Sequence, residues 1–532
     1  MKWAILSAVS GGLAVILLAG CGNLEGNQEN AANMTAASGT ETSVLTEIVG
    51  EEDTAHIVVA YPTNGTIPKD LAKVQEAINE ITLEMINTEV ELFTVEIGSY
   101  AQQMNLKISS GEQVDCMLTF PVGSCNFQTL TSQNIFRPLS DLLESYGQDV
   151  TSIVGDKLMA ATTYKDDIYG IPCYYDVAES VIWYMRKDIL EKYDLTEEAL
   201  AAENYEDIKK VLKKVHESDG EIAPIGQAVL GGQVITKMDS FYPGDFSESV
   251  FYDRMGDTTI RMAGVNISGD DKTVVNVYDS EDYKNTLETI HLWYEEGLVY
   301  KDASISQESP ETLMKSGTIF SWITVGNPTQ LASKESAAGY ELVQKEIEPV
   351  ILNSTSLRNF VWGITQTSQE PEAAMKFLNL MYSNADIVNL FNLGIEGEHY
   401  IDNGDGTVSF PTGVDQNDSG YYTFTYWMYG NAFLRKVWEG DDPEVLAERE
   451  KVVQNAETSP LLGFSFDSGA YDLEITAVTN VINEYRPGLE SGSQDPETLL
   501  PEFIDALNKA GGDVLLKAYQ EQLDAWWAEQ ES

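Results

Sequence analysis

Hydrophobic positions in this chain alternate between short unbroken runs and stripes at helical spacing. Residues 56–61 (His-Ile-Val-Val-Ala-Tyr) form a run that predicts a buried strand, closed by the turn formers Pro62, Asn64 and Gly65. Leu71, Val74, Ile78, Ile81 and Met85 then recur on one helical face. A second strand is expected at 89–97, a polar helix-compatible stretch after it, and a third strand at 114–120. Strand, helix, strand in that order argues for an α/β fold with crossover connections. A short helix at 138–146 carries Leu139, Leu142 and Leu143, and Tyr169-Gly170-Ile171-Pro172 leads into an apolar strand at 180–185.

A second α/β unit follows between about 190 and 320. Asn204 can cap a helix striped by Ile208, Val211, Leu212 and Val215, with Asp219-Gly220 as its stop. A helix is expected at 282–296, ended by Gly297, and a strand at 318–324. Residues 371–393 read as one long helix with Ala374, Phe377, Leu378 and Met381 on one face. Residues 400–410 read as a hairpin turning on Asn403-Gly404-Asp405-Gly406, whose carboxylates lack the alternation of a calcium loop. Helices at 471–485, 496–510 and 514–529 close the chain. No internal repeat is visible.

The start of the chain changes the picture. Lys2, an apolar run over 4–19 and Leu18-Ala19-Gly20-Cys21 have the layout of an export signal and resemble a lipobox. The run is short of the roughly 20 apolar residues that span a bilayer. A diacylated Cys21 would instead hold the chain, since each buried CH2 contributes about 0.8 kcal/mol and stable anchoring takes two chains. The polar stretch 21–54, rich in Asn, Ala, Gly, Ser, Thr and Glu, reads as a disordered tether.

Composition then removes whole classes of function. With 85 acids against 32 bases the net charge is −53, which repels phosphate backbones and anionic headgroups alike. Membrane attachment therefore rests on lipid, and nucleic acid is excluded as a partner. Cys116, Cys125 and Cys173 allow one disulfide at most, between Cys116 and Cys125, although Cys116 lies in an apolar run that suits a free thiol. His56, His216, His291 and His399 are scattered, so neither a zinc site nor a catalytic histidine is expected. Phosphate loops and a nucleophile elbow are absent, and no cofactor is implied.

From Gly111 onward the order of signals resembles the carbohydrate-type extracellular solute-binding lipoproteins of ABC importers. The segments that carry the likeness include GEQVDCMLTF (111–120), YGIPCYYDVAESVIWYMRKDIL (169–190), SGTIFSWITVGNP (316–328), the stretch 364–400, SPLLGFSFD (459–467) and the C-terminal stretch 480–511. The resemblance implies a two-lobed, periplasmic-binding-protein-like type II α/β fold with a hinge and an interlobe cleft. It implies a first lobe beginning at 55–172, a second at 173–350, and return crossings with a helical region of both lobes at 351–532. It further implies a monomer that hands its ligand to membrane permease subunits outside the cell.

A neutral sugar presents apolar ring faces and a fringe of hydroxyls, so its cleft needs flat aromatics with carboxylates and amides. Tyr174, Tyr175, Asp176 and Glu179 follow the expected first crossing, and Glu179 falls where the family places a sugar-binding carboxylate. Trp322 and Asn327 lie on the strand-to-loop segment that lines the second lobe in such proteins. Tyr426 and Trp427, with Tyr429 and Asn431, form an aromatic patch; Phe466, Asp467 and Tyr471 precede a helix. Arg358 and Trp362 lie near a return crossing. Arg358 either faces the cleft, favouring an acidic ligand, or pairs with a surface acid, which is the preferred reading. Trp183, Trp293 and Trp438 are assigned to cores, and Trp526 and Trp527 to docking of the last helix. Two alternatives remain: a cleft for peptides or other nitrogenous solutes, and a glycoside hydrolase, although no spacing among the acids singles out a catalytic pair.

Overall fold

The computed structural model describes residues 53–530, apart from 64–65, 122, 179, 229–231, 236–239, 242–243, 248–249, 258–259, 270, 327, 349–350, 417 and 424. The leader, Cys21, nearly all of the tether, Glu179 and Asn327 thus lie outside the described residues.

The first run forms the strand Ala55–Thr63, paired in parallel with Thr88–Glu96 over its whole length, from Ala55 opposite Thr88 to Thr63 opposite Glu96. Helix Leu71–Ile86 makes the crossover between them, burying Val74, Ile78 and Thr82. The short strand Cys116–Leu118 continues the parallel order, Val361–Ile364 runs antiparallel beside it, and Ile171–Pro172 pairs antiparallel with that strand at the edge. This five-stranded sheet is covered by helices, including Pro371–Ser383, over a core that holds Ile57, Val59, Trp362 and Phe377.

A second sheet has the order Leu342–Glu348, Ser180–Arg186, Ile319–Gly326, Ala223–Ile225. Its core holds Trp183, Ile208, Trp293, Phe320 and Phe503. Asn204 caps helix Tyr205–Ser218 by accepting from the Asp207 N–H at 2.9 Å. A four-stranded antiparallel sheet between Ser240 and Asn276 had no counterpart in the sequence reading, because its strands are two to four residues long and leave little periodicity.

Strands of the two sheets interleave along the chain, so the polypeptide passes between lobes more than once. One passage lies between Pro172 and Ser180, and another between Glu348 and Val361. A third follows helix Glu444–Asn455, which sends Val453 into the first core, while helix Asp472–Glu490 packs in the second. The second and third passages run side by side, with Leu352 bridging Thr458 and the Ser459 N–H donating to the Leu352 carbonyl at 2.8 Å.

The long helix expected over 371–393 is two helices. Asn384 adopts an extended conformation, and its side chain accepts from the Asp386 and Ile387 N–H groups, capping Ala385–Leu393. A hydrophobic stripe cannot register such a break, because the apolar face continues across it; the capping side chain is the only signal. The hairpin at Asn403 to Gly406 forms between Ile401–Asp402 and Thr407–Ser409. Its acids are used by the turn: Asp405 accepts from Thr407, and Asp402 accepts from Gly404 and pairs with Lys436. Cys116, Cys125 and Cys173 are buried free thiols.

Candidate ligand-binding site

Several candidate residues are packing groups. Trp322 is fully buried, stacked on Tyr184 at 5.0 Å. Its strand is covered on both faces, one by Leu313, Met314 and Ala338 and the other by the main core of its lobe, so no ring face is left for a ligand. Trp362 is likewise fully buried in the first core and donates its Nε1–H to the Met428 carbonyl at 2.9 Å. Arg358 follows neither of its two expected courses. It is buried, with Nε donating to the Ala161 carbonyl at 2.6 Å, Nη2 to the Phe464 carbonyl at 3.0 Å, and the guanidinium over the Phe127 ring. Burial lowers its pKa to about 10, against the opposing field of Asp253.

Others clasp the crossings. The Tyr174 N–H donates to the Gly430 carbonyl, and the Ala432 N–H donates back to the Tyr174 carbonyl, each at 2.8 Å. Gly430 permits this with φ of 59°, and a Cβ there would meet the Met381 carbonyl at 2.2 Å. Asp176 is gripped by Arg449 through Nε–Oδ2 at 2.6 Å and Nη2–Oδ1 at 3.1 Å, and Arg449 also reaches the Ala178 carbonyl. Desolvation nevertheless pushes the Asp176 carboxyl up to about 6. Asp467 lies 3.5 Å from the Lys165 ammonium and accepts from the Tyr164 hydroxyl at 3.2 Å. Tyr471 stacks on Phe466, which is itself stacked on Tyr519 at 3.7 Å.

What remains exposed converges. Tyr426 and Trp427 are half-buried, edge to face at 5.1 Å, and Trp427 leans on Phe360. Phe360 in turn meets Phe120 at 5.9 Å and Tyr175 at 6.2 Å. The Arg435 guanidinium lies 3.9 Å from the Tyr426 ring centre, held by a bond from Nη1 to the Ala432 carbonyl. From the second lobe, Gln330, just past strand Ile319–Gly326, donates to the Tyr426 hydroxyl at 3.1 Å.

These rings form a shelf beyond the carboxyl end of Cys116–Leu118 and beside two crossings, where α/β sheets with a topological switch take their ligands. Phe120, Phe360, Gln330 and Arg435 were missed by sequence reasoning. Position at the carboxyl end of a predicted strand was the available signal for Phe120; nothing local marks the other three. The shelf supplies flat apolar faces, an amide and a guanidinium, which suit reversible binding.

Among the described residues Asp70, Glu398 and His399 also converge closely enough to hold a metal ion. They are joined in a network of polar contacts. His399 Nδ1 accepts from the Ile395 N–H at 2.8 Å, which leaves the proton on Nε2 facing Asp70, and the Lys73 ammonium joins Asp70 and Glu398.

The chain is 25% identical over 531 residues to a carbohydrate ABC transporter substrate-binding protein of Streptococcus pneumoniae, covering 98% of each. Its fold matches the N-glycan transport solute binding protein of the same species with a TM-score of 0.74 at 22% identity, over 89% of this chain and 100% of that one. A solute-binding protein of Bifidobacterium longum infantis described as binding HMO matches with a TM-score of 0.58 at 15% identity, over 89% of this chain and 99% of that one. Residues 460–528 match a domain of unknown function. Residues 68–387, more than half of the chain, match the bacterial extracellular solute-binding proteins, and the chain belongs to that family.

Proposed function

We propose that this protein captures an oligosaccharide between its lobes and delivers it to an ABC permease. The observation that carries the reading is the shelf of Phe360, Tyr426 and Trp427, backed by the buried Tyr175 and reached from the opposite lobe by Gln330. Aromatic faces bury the apolar sides of sugar rings at low entropic cost, and amides take up hydroxyls. The similar pneumococcal protein has been solved with Man1GlcNAc and with Man5GlcNAc, which makes these two sugars the first probes. A peptide ligand loses its main support, because Arg358, its intended carboxylate partner, is buried on backbone carbonyls.

In this reading the lobes pivot where the chain crosses, at 173–178, 351–353 and 457–459, and ligand favours the closed form. Cys21 carries the lipid anchor, and Glu179 and Asn327 join the ligand contacts. Calorimetric titration with both sugars tests the reading. The expected result is saturable binding to the protein, with Trp427→Ala weakening both sugars about tenfold through the lost ring contact. Absence of heat and of thermal stabilisation across a broad panel of oligosaccharides would overturn it.

A further inference from the structure

Trp438, assigned to a core from its sequence context, is only partly buried. It sits on the last strand of a small sheet made of Ile401–Asp402, Thr407–Ser409 and Val437–Trp438. The sheet is backed by Leu393, Tyr400 and Val408, with Trp438 packed against them. The Trp438 ring stacks on Phe410 at 4.2 Å and 26°, and Tyr422 closes the group at 5.7 Å from Trp438 and 5.8 Å from Phe410. All three are partly exposed, whereas Trp183 and Trp293 are fully buried. A turn in which the Asp441 N–H donates to the Trp438 carbonyl at 3.0 Å brings a carboxylate back beside the rings. That carboxylate lies within electrostatic reach of both Tyr422 and Arg435.

We propose that Phe410, Tyr422, Trp438 and Asp441 form a second carbohydrate subsite that holds the distal residues of an extended oligosaccharide whose first residues lie on the interlobe shelf. The proposal rests on the carbohydrate reading above. Arg435 supplies the continuity: its guanidinium covers Tyr426 of the shelf, and it shares an electrostatic contact with Asp441 beside the three rings. From Arg435 to Trp438 is three residues, at most about 10 Å of extended chain. An extended oligosaccharide covers that distance with residues to spare for the shelf. A stacked ring face beside a half-buried acceptor is the same pairing of apolar surface and hydroxyl partner that the shelf offers.

Titration of Man1GlcNAc and Man5GlcNAc into the full chain and its variants tests this. Trp438→Ala is expected to weaken Man5GlcNAc about tenfold and to leave Man1GlcNAc within about twofold. Asp441→Asn, on a turn outside the sheet, should weaken Man5GlcNAc about threefold by removing a charged acceptor, and keeps the test decisive should Trp438→Ala fail to fold. Trp427→Ala, on the shelf, should weaken both sugars. Unchanged Man5GlcNAc affinity in the two subsite variants, or equal losses for both sugars, overturns the second subsite and leaves the carbohydrate reading intact. Failure of the unaltered chain to bind either sugar, with no heat or thermal stabilisation across the broad oligosaccharide panel, removes the ground of both.

Discussion

The side-chain amide of Gln330 donates to the Tyr426 hydroxyl at 3.1 Å, and this bond joins the second lobe to the aromatic shelf of the first. Tyr426 is meanwhile held from behind by Arg435, so the hydroxyl is offered in a set orientation. In the proposed reading, lobe closure and ligand contact therefore share one residue.

Removing that bond should tax closure without touching either core. Gln330→Ala or Tyr426→Phe should each weaken oligosaccharide binding a few-fold, matching the roughly 1 kcal/mol of a neutral hydrogen bond. The melting temperature of the free protein should stay within about 2 °C. Titration calorimetry checks it; wild-type affinity in both variants would separate this contact from closure.

The Asp176–Arg449 clasp ties the first crossing to the helix that precedes the third, and both side chains are largely buried. Arg449→Ala leaves a buried carboxylate without its counter-charge and should lower stability by about 3 kcal/mol. Denaturant unfolding with an unchanged midpoint would show the pair to be dispensable.

The same carboxylate gives a pH dependence. Its pKa in the folded chain, about 6, lies above that of an ordinary aspartate. The folded state thus holds a proton that the unfolded chain gives up between about pH 4 and 6. This contribution to stability is fully present below about pH 4 and is lost as the pH rises through 6, by on the order of 3 kcal/mol. Asp176→Asn should remove that component, so the wild-type-minus-variant difference in unfolding free energy should fall between pH 4 and 7. A flat difference would sink it.

Arg358 commits Nε and Nη2 to the Ala161 and Phe464 carbonyls, so its loss should cost stability and not specificity. Arg358→Lys cannot reproduce the planar fork and should destabilise by about 2 kcal/mol, while acidic and neutral sugars keep their relative affinities. A change in that ratio would return Arg358 to the binding site.

Burial pushes the thiols of Cys116 and Cys173 well up and that of Cys125 to about 12. A thiol-specific chromogenic reagent should find these three unreactive in the native protein and fully reactive in denaturant. Rapid labelling of the native chain at any of them would contradict their burial.

Much of the fold was legible locally. The run at 56–61 and the stripe from Leu71 show their periods within a few residues, and Asn204 caps the helix that its position announces. The candidate binding residues were harder. Trp322, Trp362 and Tyr426 are all aromatics expected to line the cleft, and composition cannot tell them apart. The first two stand in strands covered on both faces, where every side chain is interior whatever its parity; Tyr426 stands in a segment that reaches the surface.

By itself, then, the sequence determined the alternation of strands and helices, the acidic surface and the recurring aromatics, because periodicity, capping and charge are short-range properties. Which aromatics face outward, that Asp176 meets Arg449 and that Gln330 meets Tyr426 were decided only by tertiary structure. Those partners lie far apart along the chain, and what brings them together is the burial of two separate cores with the crossings caught between them.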